Sequence, residues 1–227
     1  MLAESERDPM SRLRACVVLV VAVVVWHPGP GPSAQGAPEG TLRIVVLVDS
    51  SSATSAMFTQ FRAGLSAFLD ALPPVPAEPE VAIISTGRQL RIRVPPTRDR
   101  EALDAAAASF SSDGGGNAFL DSLLEADRRY LQDVPVGRAV FVILTTDTGA
   151  ALGGEPRVDA YNRFAKDFQA RGGRAHAIVV RSANTGVTIQ IAENLAANTG
   201  GSFEAVSIGS AVPELMKAVA DRIASGR

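Results

Sequence analysis

The chain has 227 residues, 46% hydrophobic and 20% charged, which is enough for one full core and excludes a disordered polypeptide. A formal net charge of −2, with no long run of like charge, leaves no basic footprint and excludes nucleic acid as the main partner. The only cysteine, Cys16, falls in the first forty residues, so the remainder has neither a disulfide framework nor a thiol nucleophile.

In chain order, Arg12 and Arg14 precede an apolar run over residues 15–26. A membrane-spanning helix needs roughly 20 such residues. The shorter run fits the hydrophobic region of a secretory signal peptide, with Met10 as an alternative start. Pro28, Gly29, Pro30, Gly31 and Pro32 break the run, and small residues at 34–37 offer cleavage positions. Residues 1–36 therefore read as signal peptide and linker, and residues 41–227 as one secreted or periplasmic domain. An uncleaved N-terminal anchor is the alternative, and only then would a membrane be involved. Cys16 stands at the start of the apolar run and not after it, which argues against a lipid-modified cysteine.

Residues 42–48 are continuously apolar but for Arg43 and end in Asp49-Ser50-Ser51-Ser52. Such a run predicts a strand buried on both faces, with its polar tip at the carboxyl edge of a parallel sheet, where open α/β folds bind ligands. Asp49 and the hydroxyls after it are hard oxygen donors of the kind magnesium or manganese prefers; equally, they are ordinary helix-capping residues.

A helix follows, because Met57, Phe58, Phe61, Leu65, Phe68, Leu69 and Leu72 recur at three- and four-residue spacings, and Pro73-Pro74 ends it. Residues 81–86 form a second strand. Residues 89–94 form a third, in which Arg91 and Arg93 alternate with Leu90, Ile92 and Val94 as in an antiparallel edge strand hairpinned to its neighbour. Helices are predicted at 100–110, 118–131, 158–169, 189–198 and 211–224, and further strands at 139–145, 175–180 and 202–206. The alternation predicts an α/β fold: a doubly wound, mostly parallel sheet with one antiparallel edge strand and helices on both faces.

Three loops should meet at the carboxyl edge: 49–53, 114–117 and 146–149. They supply two carboxylates, several hydroxyls and an amide, with no sulfur or imidazole adjacent in sequence, which suits magnesium, manganese or calcium better than zinc.

Here the chain resembles the von Willebrand factor type A family over essentially all of residues 41–227. That family's metal-ion-dependent adhesion site uses D-x-S-x-S after the first strand, a Thr in a Gly-Gly-Thr loop and an Asp in a T-D-G context. Asp49 and Ser51 match the first motif, and Ala53 replaces its last Ser. Gly115-Gly116-Asn117 matches the glycine loop with Asn for Thr, and Asp121 falls where the family often has Asp. Thr146-Asp147-Thr148 matches T-D-G with Thr for Gly.

The resemblance implies a binding or adhesion module in which a partner's acidic residue completes the coordination of an ion. It places candidate ligands at Asp49, Ser51, Asn117 and Asp147, and partner contacts at Ser52, Gly115, Gly116 and Thr148. Ala53 has no oxygen to offer and Asn117 has a longer reach than Thr. Binding of Mg2+ or Mn2+ is therefore expected to be weak, or lost from a vestigial site.

Two other classes were weighed. An enzyme is disfavoured: Ser51 replaces the second Asp of the D-x-D found in dehalogenase-like phosphatases, and no phosphate-binding glycine motif or G-x-S-x-G is present. His176, inside an apolar strand, reads as a packed core residue and not a general base. A metal-independent structural or assembly module remains the second alternative. Arg88, Arg91 and Arg93 form a small basic group on the proposed edge strand, most simply a solvated face that discourages edge pairing.

Overall fold

The apolar run after Leu42 becomes β1 (Arg43–Val48), in which Ile44 to Val48 are buried on both faces because helices cover both sides of the sheet, while neighbouring strands pair with both of its edges. In the computed structural model, which describes residues 40–73, 78–148, 155–181 and 186–226, β1 pairs in parallel with β2 (Glu80–Thr86) and with β4 (Ala139–Thr146). β3 (Leu90–Thr97) runs antiparallel to β2 at one edge. β5 (Arg174–Val180) and β6 (Phe203–Val206) continue the parallel sheet on the other side. The order β3-β2-β1-β4-β5-β6 is the doubly wound, mostly parallel sheet expected from the alternation of elements. Strand order reverses between β1 and β4, so the crevice at their carboxyl ends is where this architecture places ligands. The proposed signal peptide and linker, at 1–36, lie outside the described residues.

Alternation along β1 divides the core in two. Ile44, Val46 and Val48 face α1 (Phe58–Ala71), α2 (Arg100–Ala108) and α6 (Val212–Ala224). Val45 and Leu47 face α3 (Phe119–Ala126), α4 (Glu155–Ala170) and α5 (Val187–Asn198). α1 and α6 approach closely at Gly64, where a Cβ would come within 2.7 Å of a Val212 methyl.

Two local departures from the regular pattern bear on function. A 3-10 turn (Ser52–Met57) intervenes before α1, so the loop after Asp49 is tightly wound and not extended. On β3 the register passes from Ile83↔Val94 to Ile84↔Ile92, so one step on β2 matches two on β3. That bulge re-aims Arg93. Its side chain is 12% exposed while Ile92 is 37% exposed, so the alternation read from the sequence is reversed at these two positions, while Arg91 stays exposed and Val94 buried as read.

His176 on β5 is buried. Its Nδ1 accepts the Ser202 backbone N–H at 3.2 Å, and its Nε2 meets no hydrogen-bond partner. Burial, then the charges of Arg174 and Arg222, lower its pKa to about 4. The native imidazole is therefore neutral through the range in which an unfolded one, near 6.5, takes up a proton. Stability from this group is present above pH 6.5 and is lost as pH falls toward 4, by up to roughly 3 kcal/mol. Urea unfolding of wild type and His176→Phe across pH 7 to 4 checks this: the variant should lose distinctly less stability over that interval, and parallel losses would refute the assignment.

Candidate functional site

The end of β1 carries a carboxylate into the crevice. The Asp49 N–H donates to the Leu144 carbonyl at 2.9 Å, so the β1–β4 ladder runs to the last residue before the loop. The side chain is fully buried. Oδ1 accepts the Ser51 N–H at 2.8 Å, closing an Asx turn, so Asp49 organises the loop and caps no helix. Oδ2 accepts the Thr146 hydroxyl at 2.5 Å, the Thr146 N–H at 3.3 Å and the Asn117 amide at 3.1 Å. Burial raises the Asp49 pKa, and the donors from Thr146 and the Ser51 backbone act against that rise.

Asn117 binds the second loop to the first. Its nitrogen donates toward Asp49 Oδ2, Thr145 Oγ1 at 2.9 Å and the Thr148 carbonyl at 3.1 Å, while its oxygen accepts the Thr86 hydroxyl at 2.8 Å. A carboxylate and a carbonyl can only accept, so they fix which way the amide points. The Thr148 carbonyl also receives the Thr188 hydroxyl from the start of α5 at 3.4 Å, and the hydroxyls of Thr146 and Thr148 are in contact.

Behind this pair lies a second carboxylate clamp that the sequence reading did not single out. Asp113 accepts from Ser50 at 2.8 Å, Ser85 at 2.5 Å, Arg91 at 2.8 Å and Arg93 at 2.8 Å. Burial works to raise its pKa, but the hydrogen bonds from Ser85, Ser50 and Arg91 and the charge of Arg93 outweigh it and hold the group below its ordinary value. Arg91 and Arg93 are thus tied into the loop and are not simply solvated. Gly87 allows the approach, since a Cβ there would come within 2.7 Å of Ser50 Oγ.

Of the residues predicted to form the site, Asp49, Ser51 and Asn117 converge. The Ser51 hydroxyl is buried with no hydrogen-bond partner. Asp147 is buried at the end of β4, its N–H directed to the Val180 carbonyl at 3.3 Å. Ser52, Gly115 and Gly116 are exposed at the rim, and the Ser52 N–H donates to the Gly115 carbonyl at 3.1 Å; Thr148 is half-buried. Thr86, Thr145 and Thr146 also belong to the site; the hydroxyl-bearing ends of β2 and β4 were the available signal. Asp121 takes no part in the Asp49–Asn117 network; it is paired with Arg157 at the cleft beside Asn117.

Among the described residues there is no cluster of three or more His, Cys, Asp or Glu side chains that could hold a metal ion. The oxygen donors at Asp49 fit one poorly. The Asn117 oxygen is turned away to Thr86, Ala53 has only a methyl group to offer, and both Asp49 oxygens are already hydrogen-bonded. Only the orphaned Ser51 hydroxyl has the character of a waiting ligand.

A family model for the von Willebrand factor type A domain matches residues 44–217. The chain belongs to this family. No curated protein matches it in sequence. Among solved structures it is similar to a von Willebrand factor type A protein from Catenulispora acidiphila, with TM-score 0.64, 14% identity, and 81% of this chain covered against 43% of that one. Proximal thread matrix protein 1 from the mussel byssus gives TM-score 0.62 at 15% identity, covering 82% of this chain and 49% of the other. A form of that protein is described with a zinc-occupied MIDAS motif. BatB from Bacteroides thetaiotaomicron gives TM-score 0.58 at 15% identity, with 81% and 98% covered. The chain spans less than half the length of the first two, and at these identities the likeness is one of fold.

The Asn117 network yields a stability prediction. Asn117→Ala removes one hydrogen-bond partner each from the Thr148 carbonyl, the Thr145 hydroxyl and Asp49 Oδ2 and leaves the Thr86 hydroxyl without its acceptor, and should cost about 3 kcal/mol. Thr86→Val, which removes one partner of the amide oxygen, should cost about 1 kcal/mol. Equilibrium urea unfolding measures both, and an alanine variant as stable as wild type would contradict the network.

Proposed function

We propose that this chain is a non-enzymatic, extracytoplasmic binding module that takes a protein partner at the carboxyl edge of its sheet, with weak or absent dependence on a divalent ion. Domains of this family are generally binding modules and not enzymes. The observation that carries the reading is a cleft of about 230 Å³ beside Asn117, walled by Gly116, Phe119, Leu120 and Ile191 and flanked by Arg88 and Arg157. It lies beside the Asn117 network, between the start of α3 and the first turns of α4 and α5.

Arg88 at the mouth of a partly apolar cleft suits an acidic side chain with an apolar neighbour, whereas Arg157 is already paired with Asp121, which also lines the cleft. Ser52, Gly115, Gly116 and Thr148 form the proposed contact rim. Asp49, Ser51, Asn117 and Asp147, the residues a bound Mg2+ or Mn2+ would use, support that rim from beneath. The adhesion-type reading gains support from the zinc-occupied motif of the byssus protein. An extracytoplasmic location rests on the proposed signal peptide at 1–36, and no helix among the described residues is long and apolar enough to cross a membrane.

Gly116 provides a probe of the rim with little expected effect on folding, because nothing lies within 4 Å of a Cβ built there. Partner capture from an extracytoplasmic extract should fall at least about tenfold for Gly116→Trp and for Arg88→Glu, the scale of one lost interface contact. It should be unchanged for Val136→Asp, at the opposite edge, and should persist in EDTA. Capture unaffected by both rim variants would move the binding surface elsewhere and favour a structural or assembly role.

A further inference from the structure

We infer that the side-chain amide of Asn117 is a built-in substitute for a cation, so that this domain holds its carboxyl edge in one arrangement whether or not a divalent ion is present. Three oxygens from separate parts of the edge converge on one nitrogen: Asp49 Oδ2 at 3.1 Å, Thr145 Oγ1 at 2.9 Å and the Thr148 carbonyl at 3.1 Å. A carboxylate, a hydroxyl and a carbonyl facing a common point are what a hard cation gathers. The spacing, however, is that of N–H···O bonds; magnesium would draw the same oxygens to about 2.0–2.1 Å.

The amide is held in this sense from both sides. Turning it over would set its oxygen against a carboxylate and a carbonyl, and on the far side the Thr86 hydroxyl, 2.8 Å away, donates to that oxygen as it stands. Asn117 is 4% exposed, so water does not compete for these bonds.

The Ser51 hydroxyl supplies an independent observation. It is buried and meets no partner in hydrogen-bonding geometry, although it lies near enough to the Asp49 carboxylate to act against the rise in that group's pKa, whereas the oxygens around Asn117 are all engaged. A hydroxyl left over in this way is expected where an amide has taken the place of an ion but cannot reach every oxygen that the ion would have held. Ala53 completes the picture by withdrawing one more oxygen from the loop. The inference deepens the binding-module reading by making that module indifferent to divalent ions. Its test uses no partner, so the two can fail separately.

The experiment is calorimetric titration with MnCl2, together with thermal unfolding in excess Mn2+ and in EDTA, on the full chain and two variants. Wild type should release no binding heat and unfold at the same temperature in both conditions. Asn117→Asp sets a second carboxylate against Asp49. It should be destabilised in EDTA and regain several degrees, or its fold, when Mn2+ is added, since a ligand that binds only the native state raises its stability. Asn117→Thr combined with Ala53→Ser, which returns hydroxyl oxygens to both positions, should bind one Mn2+ per chain. Wild type binding one Mn2+ with a rise in unfolding temperature would overturn the inference whatever the variants do. A folded double variant that binds no more Mn2+ than wild type would overturn the assignment of the seat to Asn117.

Discussion

A carboxyl group fully removed from water at the tip of the central strand is the constraint around which the carboxyl edge is built. Burying Asp49 is unfavourable unless hydrogen bonds replace its hydration. Four donors do so: the Ser51 N–H, the Asn117 amide, and the N–H and hydroxyl of Thr146. They come from the loop after β1, the loop before α3 and the end of β4. Satisfying one side chain therefore fixes three chain segments relative to one another, and removing one donor disturbs all of them.

The surrounding polar groups extend this order outward. Asp113 performs a similar service for the glycine loop, drawing Ser50, Ser85 and two arginines onto one carboxylate. Together the two clamps leave little freedom in the ends of β1, β2 and β4, while Ser52, Gly115 and Gly116 above them remain exposed. A rim of small exposed residues on a rigid hydrogen-bonded base is well suited to binding, since the base loses little entropy when a partner docks. The cleft between Arg88 and Arg157 lies beside that base, so its shape depends on the same network.

Much of the fold was legible in the chain because it rests on long periodic or continuous apolar segments. β1, β4 and β5 stand out as buried runs, and the polar residues that end β1 and β4 locate the site. What stayed hidden depends on contacts distant in sequence. Asn117 carries both a donor and an acceptor, so its identity leaves open which end faces Asp49; the Asp49 carboxylate and the Thr148 carbonyl, which can only accept, decide it. Arg93 reads as solvent-facing by alternation, yet a bulge turns it onto Asp113 and over the Phe110 ring at 5.2 Å. Likewise, a helix read as continuous over 118–131 ends in a π-turn (Asp127–Leu131), where Arg171 donates to Asp127 and to the Leu131 carbonyl.

Membership of the von Willebrand factor type A family directs attention to the carboxyl edge as the candidate site, but the chemistry there belongs to this chain's own side chains. The central claim is that the Asn117 NH2 group, and not a metal ion, fills the seat in front of Asp49 and satisfies the oxygens there. The side-chain amide resonances of Asn117 in 1H–15N spectra report on it directly. They should be resolved, slow to exchange with solvent, and neither broadened nor shifted when Mn2+ is added. Loss of those two signals at low Mn2+, together with those of the loops around Asp49 and Thr148 and with distant resonances intact, would contradict it.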